Sequence, residues 1–199
     1  MEQNILQLPG YRECEFLLVL QPHEELWNRI MNLKKEFADA FECPMAFGTK
    51  PHITLARFMQ YAMMEQRIIN RLKLTAMGLP AIKVELKDFG SFPSHTIYIN
   101  VVSKVPIVNM VKAVRQAQAL MKINNDKKPH FITEPHLTVA RKLQPWQYEK
   151  AWLEYEKKAL SWQVHCRPVT AIKAPGWRES LPGGRAFCFR KFTCCNKAG

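Results

Sequence analysis

No window of this 199-residue chain holds the roughly 18–20 uninterrupted apolar residues that a membrane-spanning helix requires, so the expectation is no membrane association. Cysteine occurs at positions 14, 43, 166, 188, 194 and 195, yet never as CxxC and never with a histidine at zinc-ligand spacing. That pattern predicts reduced, incidental thiols, the adjacent Cys194 and Cys195 included. The opening stretch MEQNILQLPGYREC has neither the basic nor the apolar region of a secretory signal, which points to a cytoplasmic protein. Acidic residues are scarce: 17 Asp and Glu face 29 Lys and Arg, giving a net charge of +12 and a sequence pI near 9.6. Such an excess favours a polyanionic partner, nucleic acid or nucleotide, through steering and counterion release. With 47% apolar and 23% charged residues the chain is neither disordered nor coreless, and its length suits one domain of two intimately packed lobes.

What the chain does have is a repeat. PHITLARF (Pro51 to Phe58) and PHLTVARK (Pro135 to Lys142) agree at Pro, His, Thr, Ala and Arg, and their histidines lie 84 residues apart. The surroundings repeat as well. Glu15–Gln21 reads as a buried strand, and Pro22 opens a helix with Leu26, Ile30, Leu33, Phe37 and Phe41 at three- and four-residue steps. Cys43–Lys50 reads as a loop, and the first motif follows as a strand. A second helix is predicted over Met63–Met77, with strands over Ile82–Phe92 and Thr96–Val102.

The order then restarts. Ile97–Val101 stands where Phe16–Leu20 stood, Pro106 starts a helix, Lys122–Glu134 is a polar loop, and the second motif is again strand-like. Pro145 opens a fourth helix, and strands around Val164–Lys173 and Ala186–Thr193 close the chain about a turn-rich Gly176–Arg185. Strand-to-motif separations are 36 residues (Phe16 to His52) and 39 (Ile97 to His136). The period exceeds that of solenoid repeats, so the expectation is a duplicated lobe, with halves at about 15–95 and 96–193 and a tail at 194–199. The lack of a linker predicts a single two-lobed domain.

On a strand, residues i and i+2 share a face, so His52 points with Thr54 and His136 with Thr138. Histidine titrates near pH ~6.5, and a pair can therefore hold one neutral base and one protonated acid at neutral pH. Such a pair suits in-line displacement at phosphorus, with threonine hydroxyls donating to the non-bridging oxygens.

These residues identify the chain as resembling the two-histidine (2H) phosphoesterases, in particular the branch of 2′–5′ RNA ligases and RNA 2′,3′-cyclic phosphodiesterases. The likeness spans about Glu15 to Phe192, in the order of elements as well as in PHITL and PHLTV. It implies a duplicated α+β fold of two lobes, each an antiparallel sheet with helices packed outside, and an active-site cleft between them. It implies a metal-independent phosphodiesterase, using no cofactor, that acts on the 2′,3′-cyclic phosphate of RNA ends or nucleotides. Reversible 2′–5′ RNA ligation is a further activity found in some members.

Carried over, His52 and His136 become the acid–base pair, with His52 drawn as acid and His136 as base, although pseudo-symmetry admits the swap. Thr54 and Thr138 become the phosphate-holding hydroxyls. Arg141 matches an arginine common after the second motif, and Arg57 is its counterpart after the first. Strict alternation puts both arginines on the face opposite the histidines, since five residues is an odd step; only a bulge or a strand end brings them back. Val139 stands where leucine is usual.

His130, in HFIT, has one residue too many before its threonine and reads as loop. Trp177 and Phe47, each in a loop near a motif, are candidates for stacking on a base, and Lys127, Lys128, Arg178 and Arg185 for tracking an RNA backbone. No protein partner is implied and a monomer is expected. Two rival readings remain: a non-catalytic RNA- or nucleotide-binding module on the same fold, and a histidine pair binding a metal. Against the first stand four intact motif side chains; against the second, the want of Asp, Glu or Cys at ligand spacing.

Overall fold

The structure, a computed structural model, describes residues 10–166 and 186–192. Trp177, Arg178, Arg185, Cys194 and Cys195 lie outside the described residues. Among the described residues eight strands and five α-helices follow in the order β1 (Glu13–Gln21), α1 (Glu24–Ala40), α2 (Pro44–Phe47), β2 (Ile53–Tyr61), α3 (Glu65–Met77), β3 (Ile82–Phe92), β4 (Thr96–Val101), α4 (Lys104–Arg115), β5 (His130–Phe131), β6 (His136–Arg141), α5 (Pro145–Tyr155), β7 (Ser161–Cys166) and β8 (Ala186–Phe192). Two differences from expectation are local. Cys43–Lys50 contains the one-turn helix α2, opened by Pro44, and the polar loop before the second motif contains the two-residue strand β5.

All pairings are antiparallel, in the sheet order β7-β3-β4-β6-β2-β1-β8, with β5 joined to β2. An antiparallel sheet carrying helices is the α+β class that the family resemblance implies. The two motif strands, β2 and β6, are neighbours at the middle of this order, and the register pairs them only at Ile53↔Leu137. On either side of that pair the strands diverge. The sequence halves are laced together: β3, from the first, pairs with β4 and β7, while β8 returns to pair with β1.

Helix α1 packs on β6, and α4 packs on β2 and β3, so each half lays a helix under the other half's motif strand. The apolar stripe of α1 (Leu26, Ile30, Leu33, Phe37) is buried, as its spacing requires. Buried residues of both halves form a single cluster, from Phe16, Leu18 and Leu20 on β1 to Ile97 and Ile99 on β4. Tyr155, 2% exposed, joins α5 to α1 and β3 through ring contacts with Phe37, Phe41 and Phe89. Burial first, then Glu154 and Glu36, pushes its phenol up to about 12. Gln147 closes a capping box with Gln144 at the start of α5 and donates to the carbonyls of Phe41 and Glu42, capping the end of α1 as well. Cys14 and Cys43 are free and buried.

Candidate active site

Each motif begins with a buried proline and continues with the same alternation of accessibility. Over Pro51–Arg57 and over Pro135–Arg141 the order is buried, half-buried, buried, half-buried, buried, buried, exposed. The half-buried positions are His52 and Thr54 in one copy and His136 and Thr138 in the other. Ile53 and Leu137 face the core at 4% and 1% exposure, which directs their flanking residues to the opposite side of the sheet. His52 and Thr54 flank Ile53, and His136 and Thr138 flank Leu137, so the single pair Ile53↔Leu137 brings the two motifs side by side on one face.

The rings are oriented alike. His52 Nδ1 lies 2.8 Å from the carbonyl oxygen of Lys50, and His136 Nδ1 lies 2.9 Å from that of Glu134. A carbonyl oxygen can only accept, so Nδ1 must carry the proton in both rings. In the neutral ring the lone pair is then on Nε2, the nitrogen that can take or return a proton. A backbone clamp two residues upstream therefore fixes the working tautomer at both sites.

The two consecutive buried residues in each motif mark a bulge. Between β1 and β2 the register passes from Leu18↔Ala56 to Val19↔Thr54, leaving Leu55 unmatched; between β4 and β6 it passes from Ile97↔Ala140 to Tyr98↔Thr138, leaving Val139 unmatched. One extra residue inverts the facing of everything after it. Ala56 and Ala140 turn to the core, and Arg57 and Arg141 come round to the side of the histidines. Strict alternation would have turned them away, and it fails at the same place in both copies. Lys142 then ends β6 in the left-handed region (φ 57°).

All six candidate residues line one open cleft of about 490 Å³: His52, Thr54 and Arg57 from the first half, and His136, Thr138 and Arg141 from the second. Among the described residues Glu15, Leu17, Thr49, Lys50, His130, Ile132 and Lys142 also line it. Arg57 is held by an ion pair with Glu15. Among the described residues no group of three His, Cys, Asp or Glu side chains is placed to hold a metal ion.

Two residues near the motifs escaped the sequence reading. Lys34 is 1% exposed beneath the cleft and donates to the Thr49 hydroxyl (2.6 Å) and to the Thr138 carbonyl (3.4 Å). Its signal was its place in the apolar stripe, one step after Leu33 and four after Ile30. His130, read as loop, stands on β5 directly opposite Arg57. Phe47 is exposed at the end of α2 and is not part of the lining, whereas Phe92 and Tyr98 flank His136, each ring centroid 5.0 Å from the imidazole.

The seat of Tyr98 depends on Gly90, its partner across the β3–β4 ladder. A β-carbon at Gly90 would come within 2.6 Å of Tyr98 Cε2 and 2.7 Å of Asn100 Oδ1. Gly90→Ala must therefore move the ring that backs His136. The expected cost is about 1–3 kcal/mol of stability, seen as a melting temperature lower by about 2–4 °C per kcal/mol. Activity at 25 °C should fall as well; a variant with wild-type melting and wild-type rate would show that Tyr98 has no such constraint.

The chain matches the family model described as the 2′-5′ RNA ligase superfamily over residues 22–174. Among solved structures it is similar to the crystal structure of E. coli LigT in apo form, with a TM-score of 0.50 and 14% sequence identity over 91% of this chain and 94% of that one. At that identity the likeness concerns the fold. Among curated proteins none matches the sequence.

Proposed function

The chain belongs to the 2′-5′ RNA ligase superfamily, and on that footing we propose that it is a metal-independent phosphodiesterase that opens the 2′,3′-cyclic phosphate of an RNA end or nucleotide. The observation that carries this reading is the matched pair of histidines, clamped at Nδ1 in the same way and facing one cleft with a threonine beside each.

In the proposed reaction water attacks phosphorus in line. The Nε2 lone pair of one histidine, His136 in our assignment, takes the water proton as the new P–O bond forms. The imidazolium of the other, His52, gives its Nε2 proton to the ribose oxygen as the old P–O bond breaks. The product carries a phosphomonoester on one ribose oxygen and a hydroxyl on the other, and proton exchange with solvent restores the two protonation states before the next turnover. Thr54 and Thr138 donate to the non-bridging oxygens, where negative charge grows in the transition state. Arg57 and Arg141 supply positive charge at the two ends of the cleft. With an RNA 5′-hydroxyl attacking in place of water, the same proton transfers would join two ends, and run backwards they would part them, which is how reversible ligation would use this site.

Every proton in this scheme moves between side chains and substrate, so turnover of a nucleoside 2′,3′-cyclic phosphate should survive excess EDTA. The pH–rate profile should be bell-shaped, since one imidazole must be neutral and the other charged. Loss of activity on chelation, restored by adding a divalent metal, would contradict the reading.

A further inference from the structure

Among the described residues, the lining of the cleft extends farther on one side than the pseudo-symmetry of the motifs requires. His52, Thr54 and Arg57 answer to His136, Thr138 and Arg141, but past Arg57 the lining goes on through Glu15 and Leu17 of β1, His130 of β5 and Ile132 just after it. At the Arg141 end the described lining adds Lys142. The cause is the divergence of β2 and β6 beyond Ile53↔Leu137. The chain ahead of the second motif fills that opening by pairing Phe131 with Ala56 and His130 with Arg57, and the Ile132 amide donates to the Leu55 carbonyl at 3.0 Å.

Residues directly opposite in an antiparallel pair project to the same face. The His130 imidazole therefore shares the face of the Arg57 guanidinium, which is anchored by Glu15 with most of its five N–H donors left over. Arg57 is five residues along β2 from His52, a distance of about 16 Å at ~3.3 Å per residue. His130 therefore stands at the outer end of the cleft, beyond the Thr54 hydroxyl that holds the reacting phosphate. A second phosphate on the same chain is the group that would meet it.

We infer that the β1–β2–β5 end of the cleft binds the nucleotide immediately upstream of the cyclic phosphate. His130 and Arg57 donate to its phosphodiester, and Leu17 and Ile132 offer apolar contact to its sugar and base. This rests on the phosphodiesterase reading above and narrows it: the preferred substrate is an RNA end, not a mononucleotide, and the strand runs out of the cleft over the first half.

The test compares kcat/KM on a nucleoside 2′,3′-cyclic phosphate with kcat/KM on a trinucleotide ending in the same group. Wild type should prefer the trinucleotide. His130→Ala should reduce that preference about tenfold, the size expected for a lost hydrogen bond to a charged group. His130→Gln, which keeps an N–H donor, should retain part of it. His130 is exposed, so neither change threatens the core. A wild type active on both substrates with no preference, or a preference untouched in both variants, overturns the inference and leaves the phosphodiesterase reading standing. A wild type inactive on both overturns the two together.

Discussion

Alanine in place of His52 or of His136 lowers kcat/KM by about 10³-fold, within the range attributed to a single positioned acid or base. The two losses do not multiply, because the histidines act on one transfer and the double variant has little left to lose. Folding should hardly notice. Both side chains are half-buried at the cleft wall and each is held by a backbone carbonyl, so stability changes of about 1 kcal/mol are expected. The pH profile gives a further sign: each single variant should lose one limb of the bell, and the limb that disappears reports whether that histidine is base or acid. A His52→Ala enzyme that kept the wild-type rate and both limbs would rule out the two-histidine scheme.

The second large effect belongs to the hydroxyls. Thr54→Val and Thr138→Val keep the β-branched shape that suits a strand and remove only the donor. Each should lower kcat by about 10²-fold, with KM changed far less, because the hydrogen bond strengthens as charge collects on the non-bridging oxygens. Serine at either position should recover most of the rate, since it restores the hydroxyl. A valine variant that altered KM alone would assign threonine to substrate binding and not to the transition state.

Much of this site could be read from the chain because its geometry is local. A histidine and a threonine two residues apart on a strand share a face whatever the rest of the molecule does, and the duplication supplied the second pair. The facing of the arginines was harder, although its signal lay in the motif. Leu55 with Ala56, and Val139 with Ala140, are adjacent apolar pairs that break the alternation where the bulge falls. His130 carried no local signal at all. Its place in the cleft follows from the pairing of β5 with β2, a contact across more than seventy residues of chain. The crossing of β3 into the second half's sheet and of β8 into the first's is likewise a matter of long-range pairing, which the periodicity of either strand leaves open.

Lys34 shows the opposite case, a residue placed by pattern and passed over by type. An ammonium on the apolar stripe of α1 is buried only where oxygens receive it. The Thr49 hydroxyl and the Thr138 carbonyl do so directly beneath the cleft.

In the proposed reaction two imidazoles, with no other catalyst, move the protons. The most direct measurement follows a nucleoside 2′,3′-cyclic phosphate by phosphorus NMR in the presence of EDTA, with wild type beside the His52→Ala/His136→Ala double variant. Conversion to a single monoester by the wild type, and none by the folded double variant, is the predicted result. Equal conversion by both proteins, or by neither, would contradict it.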